Sequence, residues 1–218
     1  MRLSAPCFRR IVIRGCRVEA GSGVRLAGLV RRLAAEGLSG AEFLAGIPGT
    51  VGGAVAMNAG ACGREIGSII SEVTFMGRSG NVKVVPKGSL HLGYRSCDMG
   101  DAILLNARVK LRRGRRSAIE KRIGGHLRRR RATQELTVPS AGCVFKNPAG
   151  LSAGALIDSC GLKGRHAGAA AISERHANFI VNKGGASFGQ VRTLMREVVR
   201  QVKRRHGIAL EPEIKIWE

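Results

Sequence analysis

Chemistry is most concentrated in GIPGTVGGAVAMNAGACG, residues 46–63, where small residues dominate and no charge occurs from Leu44 to Cys62. A backbone without Cβ atoms approaches a ligand closely, and its N–H groups can converge on a phosphate. Glycines at 46, 49, 52 and 53 fit that use, and close backbone packing fits them equally. There is no G-K-[ST] and no G-x-G-x-x-G in the stretch, so it is neither a P-loop nor a Rossmann fingerprint. The uncharged run is long enough to raise a membrane helix, but Pro48, Asn58 and the glycine density argue against insertion. Six cysteines, at 7, 16, 62, 97, 143 and 160, form no C-x-x-C pair, which points to reduced thiols in a cytoplasmic protein.

The chain that must position these residues has 218 residues, 44% of them hydrophobic, enough for a packed core in one or two domains. Lys and Arg number 37 against 15 Asp and Glu, a formal charge of +22, so anionic partners are favoured. Much of the charge lies in LRRGRR (111–116) and LRRRRA (127–132), while aromatic residues are only 4%. Single-strand nucleic-acid binding uses aromatic stacking that these runs lack, so a solvated basic face is the simpler reading and nucleic acid the lesser alternative.

Strands are expected at 10–14, 16–20, 69–76, 81–86 and 102–111, with a helix at 24–37 whose Leu26, Leu29, Val30 and Leu33 recur at helical spacing. A helix over 117–134 contains Gly124 and Gly125, and a shorter one follows Ser152. Ser187 and Gln190 make a capping box for a last helix that ends at Gly207, and residues 213–217 read as a terminal strand. The pattern changes after residue 112. We therefore expect an α+β chain with domains at 1–112 and 113–218.

Six ordered blocks, GIPGTVGGAVAMNAGA, GYRSC (93–97), PSAGCVFKNP (139–148), ALIDSCGLKG (155–164), ERHANFIVN (174–182) and EPEIKIW (211–217), resemble the UDP-N-acetylenolpyruvoylglucosamine reductase (MurB) family, in its shorter form. The resemblance implies an FAD-binding domain of the PCMH/VAO type, then an α+β substrate-binding domain. It also implies NADPH-driven reduction of UDP-N-acetylglucosamine-enolpyruvate to UDP-N-acetylmuramate, a step of peptidoglycan synthesis, in the cytoplasm. Residue 1 falls inside the flavin domain, so the family's N-terminal lobe, with its own glycine-rich loop, is expected to be missing.

On the same resemblance, Gly46, Ile47, Pro48, Gly49, Gly53, Asn58 and Ala61 are candidate FAD contacts. Arg95 matches the position that steadies negative charge near C2 of the enolpyruvyl group, and Glu213 matches the glutamate that polarises the intermediate. Cys143 stands where the family usually has the serine that protonates C2, and a thiol gives up a proton more readily than a hydroxyl. Asn147 matches a substrate-contacting asparagine, while Lys146 is a candidate partner for a substrate phosphate or carboxylate and Tyr94 a candidate to pack near the substrate diphosphate. Taken singly, Arg95 is an ordinary surface arginine, Glu213 a strand carboxylate and Cys143 a small buried hydrophobe. Other readings are a chain that binds UDP-sugar or a partner without catalysis, and a basic nucleic-acid-binding module on a decayed scaffold. The oligomeric state is not legible.

Overall fold

A computed structural model describes residue 3 and residues 5–216. The chain forms two compact units, Met1–Arg128 and Arg129–Glu218, dividing well after the 112/113 boundary expected from composition.

In the first unit the elements run β1 (Ile11–Arg14), β2 (Arg17–Gly21), α1 (Leu26–Ala35), β3 (Leu38–Ser39), α2 (Val51–Ala56), β4 (Gly60–Ala61) and β5 (Arg64–Glu65). They continue through β6 (Ile70–Met76), β7 (Val82–Pro86), β8 (Leu92–Gly93), β9 (Ser96–Cys97), β10 (Ile103–Lys110), β11 (Arg112–Arg113) and α3 (Arg116–Thr133), whose last residues belong to the second unit. An antiparallel sheet has the order β1-β2-β10-β6-β7. Alternation along its strands sends Val18 and Ala20, Val73 and Phe75, and Ala107 and Val109 to one buried face, as the two-residue strand period requires. That face joins a core with Leu26, Leu29 and Leu33 of α1 and Val51 and Val55 of α2. Gly37, with φ of 64°, takes the left-handed turn that ends α1.

The second unit holds β12 (Ser140–Cys143), α4 (Ala153–Ser159), β13 (His166–Ala167), β14 (Ala170–Ile172), β15 (Phe179–Asn182) and α5 (Phe188–His206). Its antiparallel sheet runs β12-β15-β14-β13, and α5 packs on β13 and β14. Leu194, Met195, Val198 and Val202 of α5 close over Val144, Phe145, Ile157 and Ile172. The capping box at Ser187 and Gln190 forms as expected, and Gly207 ends the helix at φ of 71°.

Two sequence expectations change. Residues 51–56 of the bare segment are helical, with Gly53 N–H donating to the Thr50 hydroxyl at 3.4 Å. Residues 213–216 are not a strand, and Trp217 lies outside the described residues. Glu213 N–H donates to the Val144 carbonyl and Lys146 N–H to the Glu211 carbonyl, but Pro212 between them makes only a lone bridge with Phe145. That position is a non-hydrogen-bonded pair, which a proline occupies without losing a ladder bond.

Candidate functional site

The glycines at the start of α2 serve different purposes. Gly49 has φ of 118°, a conformation costly for any residue with a side chain. Gly52 is there for proximity, because an added Cβ would lie 3.0 Å from the Ser22 Cβ, and its N–H donates to the Ser22 carbonyl at 2.9 Å. Gly53 is exposed, and a Cβ there would meet only the Thr50 hydroxyl, at 3.9 Å. The result is a wall of nearly bare backbone.

That wall bounds a cavity of about 730 Å³ whose lining includes Arg9, Ser22, Gly23, Arg25, Thr50, Gly52, Gly53, Ala56 and Leu104. Ser22 is 4% exposed and its hydroxyl has no hydrogen-bond partner among the described residues. An unsatisfied buried hydroxyl costs free energy unless something bonds it. Bare backbone, an orphaned hydroxyl and two guanidiniums suit a flat cofactor that carries a pyrophosphate, so the residues present fit FAD. Among the seven FAD candidates Gly53 lines this cavity, whereas Gly46, Ile47, Pro48, Gly49, Asn58 and Ala61 are not among its lining residues. Sequence reasoning passed over Ser22, Gly23 and Arg25, although the glycines of GSG at 21–23 were a usable signal.

Asn58 does something else. It is 2% exposed, and its amide donates to Glu65 at 2.7 Å and to the Gly93 carbonyl at 3.1 Å, while its oxygen accepts from Gly67 N–H at 3.1 Å. Gly93 belongs to the β8–β9 hairpin, whose two-residue tip is Tyr94-Arg95. Arg95 sits at φ of 54°, uncommon for a residue with a long side chain, and its guanidinium lies 5.1 Å from the Tyr94 ring centroid. Asn58 thus fastens the end of the glycine segment to the hairpin that carries Arg95.

In the second unit Cys143 ends β12, opposite Phe179 of β15, after Gly142 at φ of 80°. The hydrogen bond from Glu213 N–H to the Val144 carbonyl, at 2.7 Å, brings the tail alongside the residue that follows Cys143. Lys146 pairs with Glu211 at 3.1 Å, and the Asn147 oxygen accepts from Ala153 N–H at 2.9 Å, at the entry to α4. Buried Asn178 clamps this segment, accepting from Phe145 N–H at 2.9 Å and donating to the Phe145 carbonyl at 2.8 Å. Burial pushes the Arg130 guanidinium below its ordinary pKa, and the charge of a Cys143 thiolate pulls it back up. Sequence reasoning missed Arg130 because a run of four arginines reads as a solvated face. Tyr94 and Arg95 belong to the first unit, and Cys143, Lys146, Asn147 and Glu213 to the second.

Comparison with known proteins now bears on this geometry. Residues 7–86 match the family model for an FAD binding domain, and residues 134–217 that for the UDP-N-acetylenolpyruvoylglucosamine reductase C-terminal domain. UDP-N-acetylenolpyruvoylglucosamine reductase 2 of Symbiobacterium thermophilum is 44% identical over 96% of this chain and 69% of its own length. The chain belongs to the UDP-N-acetylenolpyruvoylglucosamine reductase family. The Syntrophotalea carbinolica reductase is 42% identical, with 92% of this chain and 67% of its own covered. The crystal structure of the Thermus caldophilus reductase superposes with a TM-score of 0.87 at 38% identity, covering 100% of this chain and 77% of that one. The expected α+β fold, an FAD-binding domain followed by the family's C-terminal domain, is therefore correct. Among the described residues no helix is long and apolar enough to cross a membrane.

Proposed function

We propose that this chain is an FAD-dependent oxidoreductase that reduces UDP-N-acetylglucosamine-enolpyruvate to UDP-N-acetylmuramate for peptidoglycan synthesis, with NADPH as hydride donor, in the cytoplasm. The observation that supports this most directly is the backbone pairing of Glu213 to the residue beside Cys143, in a chain of this family.

FAD, when bound, would supply the hydride chemistry that links NADPH to C3 of the enolpyruvyl group. Ser22, Gly53 and the Arg9 and Arg25 guanidiniums would hold it, and Asn58 acts as a positioning residue behind the hairpin. Negative charge then develops over C2 and its carboxylate. Arg95 steadies that charge, a planar guanidinium being a fixed donor to carboxylate oxygens. Cys143 gives the proton that C2 requires and is later reprotonated from solvent, while Arg130 favours the thiolate left in between. Glu213 polarises the developing enolate, and Lys146 and Asn147 contact the substrate. Tyr94 packs near its diphosphate.

Turnover tests these roles. NADPH oxidation that depends on the enolpyruvyl sugar is expected, with Cys143→Ser retaining activity and Cys143→Ala losing about 100-fold or more, in keeping with general acid catalysis. Full activity in Cys143→Ala would remove Cys143 from the reaction.

A further inference from the structure

The face of the five-stranded sheet opposite α1 and α2 carries its charges in cross-strand rows. One row sets Glu19, Arg108 and Glu72 directly opposite one another on β2, β10 and β6. Arg108 bonds both carboxylates, at 2.7 and 2.6 Å, so that row is balanced. The next row, toward the β1–β2 turn, sets Arg14, Arg17 and Lys110 directly opposite one another on β1, β2 and β10. All three are exposed, and among the described residues no carboxylate pairs with any of them.

Adjacent strands lie about 4.8 Å apart, which roots the three basic side chains on backbone positions within about 10 Å. Like charges directly opposite each other destabilise a sheet. The row lines a groove of about 640 Å³ together with Arg10, Val12, Cys16 and Val18 and with Glu19 and Arg108, whose charges are paired with each other. This groove shares no lining residue with the cavity beside α2.

We infer that Arg14, Arg17 and Lys110 form a binding site for the di- or triphosphate group of a small molecule. A linear cation row meets a linear chain of anionic oxygens along its whole length, whereas one phosphate or carboxylate reaches only part of it. The groove has a small-molecule volume, within the usual range of about 300–1,000 Å³. It contains no aromatic residue, so it offers no stacking platform for a single strand of nucleic acid. The bound anion relieves the repulsion that the fold leaves in place.

Calorimetric titration of the full chain with inorganic tripolyphosphate is the test. It compares the wild type with R14Q/R17Q/K110Q and with R31Q/K83Q/K87Q, which removes the same charge from other exposed positions of the same unit. The row variant is expected to bind at least tenfold more weakly, and the control to change by less than about threefold. Without ligand, the row variant is expected to melt at or above the wild-type temperature, since it loses only repulsion. Should it melt lower, R17Q alone, which removes the central charge, must still weaken binding by at least threefold. Equal weakening in the row and control variants would assign the binding to net charge and overturn the site. A row variant that loses affinity for a short DNA duplex but not for tripolyphosphate would overturn it in favour of nucleic acid.

Discussion

Arg130 and Cys143 form a cation–thiol neighbourhood whose influence runs both ways. Because the thiolate's charge raises the pKa of Arg130 against the effect of burial, the guanidinium must in turn favour the thiolate. Arg130→Met is therefore expected to move the pH midpoint of Cys143 alkylation upward, read peptide by peptide by mass spectrometry. An unchanged midpoint would deny the coupling. His176 gives a second residue-scale test. Burial pushes its pKa below the ordinary 6.5, helped by the charge of Lys163, and its Nδ1 accepts from Asn178 N–H at 3.3 Å. A histidine with a lowered folded pKa contributes stability that is complete above its unfolded pKa and is lost as pH falls through the folded value. Stability should accordingly decline below about pH 6.5, and His176→Gln should flatten that decline in denaturant melts. At this scale Cys143, Arg95 and Glu213 became candidates only through ordered motif blocks. Arg130 and Asn178 were not legible at all, since burial is what gives them their parts.

At the scale of elements, an ion pair ties α3 to the turn ahead of the glycine segment. Buried Glu42 accepts from Arg122 at 2.8 Å, from the Ser39 hydroxyl at 2.9 Å and from Gly40 N–H at 2.7 Å. Burial alone would raise the Glu42 pKa, yet Arg122 and the surrounding donors hold it below its ordinary value. Arg122 is itself 46% exposed, so Arg122→Met is expected to cost about 1–3 kcal/mol in denaturant unfolding, less than a fully buried pair would. The helix α2 allows a finer contrast. Gly52→Ala drives a Cβ against Ser22 and should destabilise by about 1–3 kcal/mol, whereas Gly53→Ala should leave stability unchanged or raised while weakening FAD binding. Equal stability losses would mean that the two glycines do not differ in role. The long strands and α1, α3 and α5 were readable from periodicity and caps. Helix α2 was not, because glycines at 52 and 53 hide helical propensity and only tertiary bonds to Ser22 and Val24 supply the rest. The terminal strand was misread because its alternation is intact while, among the described residues, its backbone pairing goes no further than Glu213.

For the molecule as a whole, a formal charge of +22 surrounds an enzyme whose proposed ligands are all anionic. A positive field raises the local concentration of such ligands and is screened by salt over about 8–10 Å. KM for NADPH should rise with ionic strength while kcat changes little, and a salt-independent KM would leave the charge without that use. The two compact units, each with its own core, account for the two family matches along the chain. Flavin-dependent turnover is read from the visible spectrum of the full chain with FAD added, then NADPH, then UDP-N-acetylglucosamine-enolpyruvate. Bound flavin that NADPH bleaches and the enolpyruvyl sugar restores is the expected result. A protein that leaves FAD free in solution, or whose bleached flavin is not restored by the sugar, would contradict it.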